Sequence, residues 1–151
     1  MALAAPAKAD ETQASCMALN AYHEARGEST AGQIMTMLVV RNRALSPRFP
    51  ATPCAVIFDG PMVESWKRDG TTHPARDRCQ FSWWCDGKSD AVHDTAAYVQ
   101  LYELSKAVLA GEVWDFSDGA THYHSTDVTP PWSKHLEMTA RVGDHIFYRR
   151  R

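Results

Sequence analysis

Glu24, Arg26 and Glu28 crowd the stretch AYHEARGEST, residues 21–30, between two segments of helical periodicity. A carboxyl at the margin of a helix's apolar stripe is partly desolvated, which raises its pKa and keeps it protonated as a general acid. Glu24 has that position. In a helix over 13–26 the apolar stripe is Ala14, Met17, Ala18, Ala21, Tyr22 and Ala25, and Glu24 lies about 100° from its centre. A solvated corner with Glu24 paired to Arg26 is the plain alternative, and spacing alone favours it.

Two more groups of residues have chemistry to offer. CQFSWWC, residues 79–85, sets Gln80 and Ser82 as hydrogen-bonding groups among the flat faces of Phe81, Trp83 and Trp84. Sugar rings have apolar faces and polar edges, so the mixture suits carbohydrate; a core aromatic cluster under a loop is the competing reading. Tyr123, His124, Pro131 and Trp132 could form an opposite wall. His122 and His124, two apart on a strand, share one face and could hold zinc with Asp127, His135 or His145 as third ligand. Neither HExxH nor CxxC spacing is present, nor a P-loop, dinucleotide fingerprint or G-x-S-x-G motif. The expectation is therefore an enzyme without metal or cofactor.

The elements that must position these groups follow from the pattern. Gly27 ends the first helix, and Thr30 with Gln33 reads as a capping box opening a second helix through Leu45. Pro47, Pro50 and Pro53 interrupt it, and Thr52-Pro53 can cap a short third helix through Ile57. Residues 61–90 read as a long irregular binding loop. A fourth helix is expected over 91–110, stopped by Gly111. The tail changes period, and ATHYHST and LEMTARVGDHIFYRR read as short strands, the last two turning at Gly143-Asp144. The fold class expected is α+β, mostly α, with a small C-terminal antiparallel sheet. Residues 1–12 read as a flexible lead-in or signal remnant and 13–151 as one catalytic domain.

The 151 residues carry 16 Lys plus Arg against 18 Asp plus Glu. That balance argues against nucleic acid, and no apolar run approaches the ~20 residues that span a bilayer. Cys79 and Cys85 flank a loop short enough for a disulfide to close. Cys16 points away from the apolar stripe, which suggests a partner, Cys54. Two disulfides favour an oxidising, extracytoplasmic place of work, and we expect a monomer.

The stretch AYHEARGESTAGQIMTMLVVRNRALSPRFP resembles the opening of the SleB/CwlJ-type cell wall hydrolases, with E-A-R-G-E at Glu24–Glu28, then Gly32-Gln33, then Asn42-Arg43. CQFSWWCDG is similar to that family's Q-F-S segment, and HYHSTDVTPPWSKHLEMTARVGDHIFYR to its closing block, so the resemblance covers about residues 15–149. It implies a lysozyme-like helical domain acting on peptidoglycan, with Glu24 as general acid and Glu28, Gln80, Phe81, Ser82, Trp83, Tyr123, His124 and Trp132 about the glycan. With no second carboxylate in evidence, the expected reaction is that of a lytic transglycosylase. A hydrolytic muramidase, an N-acetylmuramoyl-L-alanine amidase and a non-catalytic wall-binding module are the alternatives. The cysteines lie outside the family's common pattern and point to an exported member or a phage lysin.

Overall fold

The structure, a computed structural model, describes residues 7–65 and 67–151, with side chains from residue 11 onward. Helix α1 (Ala7–Ala25) is its axis, with α2 (Thr30–Leu45), α3 (Pro53–Ile57) and α4 (Thr95–Leu109) packed around it. The reason lies in its small residues. Ala14, Ala18, Ala21 and Ala25 are all buried, as are Met17 and Tyr22 on the same stripe, and alanines let neighbouring helices approach closely. Tyr22 ties α1 to α4, because its hydroxyl accepts from the backbone N–H groups of His93 and Asp94, each at 3.0 Å. The helix also begins earlier than its periodicity suggests, so residues 7–12 of the expected lead-in are helical, while residues 1–6 lie outside the described residues.

Ser29 rather than Thr30 caps α2, its hydroxyl accepting from Gly32 N–H. Gln33, the expected partner in a capping box, instead donates to the Arg26 carbonyl at 3.2 Å, closing the corner between the helices. Thr52 caps α3 as its Thr-Pro signature requires. The segment 61–90 is not wholly irregular: it holds a small hairpin, β1 (Met62–Glu64) with β2 (Thr72–Pro74), and a 3₁₀ turn at Ser82–Trp84. The hairpin is almost entirely exposed, so it shows no alternation of apolar and polar residues by which a strand is read. Helix α4 starts at Thr95, where Asp94 caps it, four residues later than expected.

The C-terminal strands form as expected. β3 (His122–Ser125), β4 (Glu137–Val142) and β5 (His145–Arg149) make an antiparallel sheet in the order β3-β5-β4, and β4 turns into β5 at Gly143-Asp144. Pairing Tyr123 with Phe147 and Ser125 with His145 puts these four on one face, and His122, His124, Ile146 and Tyr148 on the other. The fully buried Phe147 joins the first face to the helical core.

Both disulfides are present: Cys16–Cys54 ties α1 to α3, and Cys79–Cys85 closes the aromatic loop. They span 38 and 6 residues respectively. The chain-entropy view then gives the longer loop the larger share, about 4 kcal/mol against about 2 kcal/mol. We expect the Cys16→Ser/Cys54→Ser protein to unfold at clearly lower denaturant than the Cys79→Ser/Cys85→Ser protein. Equal midpoints for the two in urea titrations would contradict that order.

Candidate active site

Glu24 is the penultimate residue of α1, at the end of the helix that meets β3 and β5. A cleft of about 300 Å³ opens there. Glu24 and Arg43 form its floor, Cys79 to Ser82 one side, and Tyr123 to Ser125 with Val128 and His145 the other. Glu24 is the only carboxylate among the described residues lining it.

The electrostatics of that carboxyl are set by three neighbours. Burial pushes its pKa above the ordinary 4.5, and this effect outweighs the opposing influences of the Tyr123 hydroxyl and the Arg43 guanidinium. Tyr123 Oη is itself buried and makes no hydrogen bond of normal geometry among the described residues, yet it faces Glu24. Burial and the adjacent carboxylate hold the phenol's pKa well up, so it stays a donor.

Arg43 lines the cleft although the sequence pattern did not single it out as a site residue. It is 7% exposed, and its guanidinium centre lies between the rings of Phe49 and Phe81, 5.0 and 5.4 Å from their centroids. Its Nε donates to the Thr121 carbonyl at 2.6 Å. Asn42 beside it donates to the Ala120 carbonyl at 2.9 Å and to Asp115 Oδ2 at 3.1 Å. The Asn-Arg pair thus grips the chain just before β3 and aims Tyr123 at Glu24. A signal existed: Arg43 continues the buried stripe of Met35, Thr36, Val39 and Val40, where a cation needs a reason.

The other expected site residues divide. Gln80, Phe81, Ser82, Tyr123 and His124 line the cleft. Trp83 does not: it is buried, donates from Nε1 to Asn20 Oδ1 at 2.8 Å and stacks on His23 with centroids 4.6 Å apart. The 3₁₀ turn sends it into the core. Trp132 lies across the other face of the sheet, against His122, His124 and Tyr148. Strand alternation separates it from Tyr123.

Glu28 also lies off the cleft wall, and it pairs with neither Arg26, Arg43 nor the start of α2. Its Oε1 accepts from Asp144 N–H at 3.4 Å and lies 3.8 Å from Nδ1 of His145. A side chain on Gly143 would collide with the same carboxylate, so the bare turn is what lets Glu28 seat under the hairpin.

The histidines are arranged for structure. His124 donates from Nδ1 to the Ser125 carbonyl at 2.7 Å, which leaves Nε2 to accept from the Tyr148 hydroxyl at 2.9 Å. Burial, with the charges of Arg43 and Arg150, lowers His122 to about 4, so it is neutral at physiological pH. His145 sits on the opposite sheet face from both, against Tyr123. Among the described residues no three His, Cys, Asp or Glu are grouped to hold a metal.

A helical domain whose half-buried acid meets a small antiparallel sheet across an open cleft is a lysozyme-like architecture, and known proteins share it. The catalytic domain of the Bacillus cereus SleB protein superposes with a TM-score of 0.62 at 25% identity, covering 91% of this chain and 89% of that one. The catalytic domain of the germination-specific lytic transglycosylase SleB from Bacillus anthracis gives 0.62 at 26%, covering 91% and 93%. The spore cortex-lytic enzyme of Halalkalibacterium halodurans is 32% identical over 94% of this chain and 36% of its own length. That of Bacillus subtilis is 30% identical over 83% and 34%. This chain therefore spans about a third of the length of those curated relatives. The family model described as Cell Wall Hydrolase matches residues 27–148, and the chain belongs to that family, of the SleB/CwlJ type. Glu24 falls just before the matched span, so its candidacy rests on its environment.

The raised pKa has a consequence for stability. The folded state holds the Glu24 proton more tightly than the unfolded chain does. Its contribution is therefore fully present below the ordinary 4.5 and is lost as pH rises through the elevated folded value. Glu24→Gln should then match the parent in melting temperature at pH 4 and melt higher at pH 7 to 8. A constant difference across that range, measured by circular dichroism, would refute burial as the cause.

Proposed function

We propose that this chain cleaves peptidoglycan glycan strands at the β-1,4 bond from N-acetylmuramic acid to N-acetylglucosamine, as a lytic transglycosylase. The observation that carries the reading is Glu24: one carboxyl, its pKa raised by burial, lining a cleft with no second carboxylate among its described residues. Most glycosidases that use water place two carboxylates about the scissile bond. The names of the cortex-lytic and transglycosylase relatives support the same substrate.

In this cycle Glu24 protonates the glycosidic oxygen, and the bond from muramic C1 breaks as the N-acetylglucosamine hydroxyl leaves. Positive charge develops at C1. The Glu24 carboxylate, steadied by the Tyr123 hydroxyl and the Arg43 charge, then takes the proton of the muramic 6-hydroxyl as its oxygen attacks C1. A 1,6-anhydro ring closes, no water is consumed, and Glu24 is protonated again. Gln80 and Ser82 offer hydrogen bonds to the sugar edges. The two disulfides support a site of action outside the cytosol, in the periplasm or beyond.

Glu24→Gln keeps the shape and removes the transferable proton. Lysis of purified sacculi should fall by roughly 10²–10⁴-fold in a protein that remains folded. Near-normal lysis would remove Glu24 from the mechanism.

The product decides the reaction type. Soluble fragments analysed by mass spectrometry without borohydride reduction should end in anhydromuramic acid, one water lighter than the hydrolysed form, with or without EDTA. Reducing muramic ends would make the enzyme a muramidase, free stem peptides an amidase, and sedimentation with the wall without any fragment a binding module.

A further inference from the structure

On the far side of the disulfide loop lies a second cavity, of about 350 Å³, lined by His73, Arg76, Trp84, Cys85, Gly87 and Lys88 together with Pro74. It has Arg76, two residues past β2, and Lys88, in the loop after Cys85, with an indole wall and no acid among its described lining residues. Gly87 has φ +79°, and the Arg76 guanidinium lies across its bare Cα: a Cβ there would come within 2.8 Å of Nη2. The glycine thus makes room for the cation. Among the described residues neither Arg76 nor Lys88 has an ion-pair partner. Asp86, two residues before Lys88, accepts from its backbone N–H at 2.8 Å. An unpaired guanidinium and ammonium beside an aromatic face suit a carboxylate on an apolar stem.

The cavity is coupled to the cleft by covalent structure. Cys79 lines the cleft, Cys85 lines the cavity, and the disulfide between them holds their Cα atoms 6.2 Å apart. A substrate with a sugar chain in one and an acidic side branch in the other would need to cross only that bridge. We propose that Arg76 and Lys88 bind a carboxylate of the peptide carried by the glycan, making this cavity a specificity subsite for walls with acidic stem peptides. The proposal rests on the reading of the chain as a peptidoglycan-cleaving enzyme.

The test uses sonicated sacculi, half of them treated with carbodiimide and ammonium so that peptide carboxylates become carboxamides while the glycan is unchanged. For the parent protein the apparent KM should rise roughly three- to tenfold on the amidated wall, the size expected of one or two solvent-screened charge contacts, with kcat unchanged. Arg76→Gln/Lys88→Gln should show the higher KM on both walls, and Arg76→Lys should keep part of the preference. High salt should erase it. Equal KM for the parent on both walls would overturn the subsite while leaving glycan cleavage intact. The subsite is overturned equally if the double variant, at an unchanged melting temperature, loses by the same factor on both walls. A parent that cleaves neither wall would overturn the proposed function and this subsite with it.

Discussion

The constraint on which the rest of the structure depends is the partial removal of one carboxyl, that of Glu24, from water. A helix whose packing face is mostly alanine lets α2, α3 and α4 close around α1. The same closeness brings the sheet over the last turn, where Glu24 projects. Burying an ionisable group there is unfavourable unless it is neutralised or compensated. Both remedies are present. Desolvation favours the protonated form, while Arg43 and Tyr123 stand ready for the charged one.

Nothing local keeps the sheet in that place. β3 is held by the Asn42-Arg43 grip on residues 120 and 121 from the end of α2. The β4–β5 turn is held from the α1–α2 corner by Glu28. These two attachments come from different ends of α2 and secure different strands of one sheet. Arg43 thus has two functions, since the guanidinium that grips Thr121 also contributes charge to Glu24. Its flanking aromatic rings fix its plane, so position and field are set together.

How much of this was legible in the sequence depends on the range of the interaction. Helical stripes, the Thr52-Pro53 cap and the Gly143-Asp144 turn are written in neighbouring residues, and the chain forms them as read. The flank position of Glu24 was legible too, because a helical wheel gives direction. Trp83 and Trp84 could not be told apart, since three residues of 3₁₀ turn have too short a period to define a face. The attachment of Glu28 joins residues 116 apart in sequence, which no local pattern encodes. Trp132 failed for a related reason: a shared neighbourhood in sequence with Tyr123 is cancelled by alternation across β3. Arg43 was readable as a charge on a buried stripe, and the family resemblance already marked its Asn-Arg pair without giving it a task.

In the proposed cycle a single acid also serves as base, which imposes a demand that a two-carboxylate site escapes. If Glu24 only donated a proton, the most favourable surroundings would be wholly apolar, because these favour the neutral carboxyl most. If it only accepted one, a full ion pair with Arg43 would serve better, but would leave it ionised at rest. The observed arrangement lies between these limits. Desolvation is the largest influence, and a tyrosine hydroxyl and a guanidinium oppose it without cancelling it. The guanidinium is itself engaged with a backbone carbonyl and two aromatic rings, which limits how far it can collapse onto the carboxylate. The proposed cycle needs that restraint, because the energy gap between the acid and base forms of Glu24 must stay small enough to be crossed twice in each turnover.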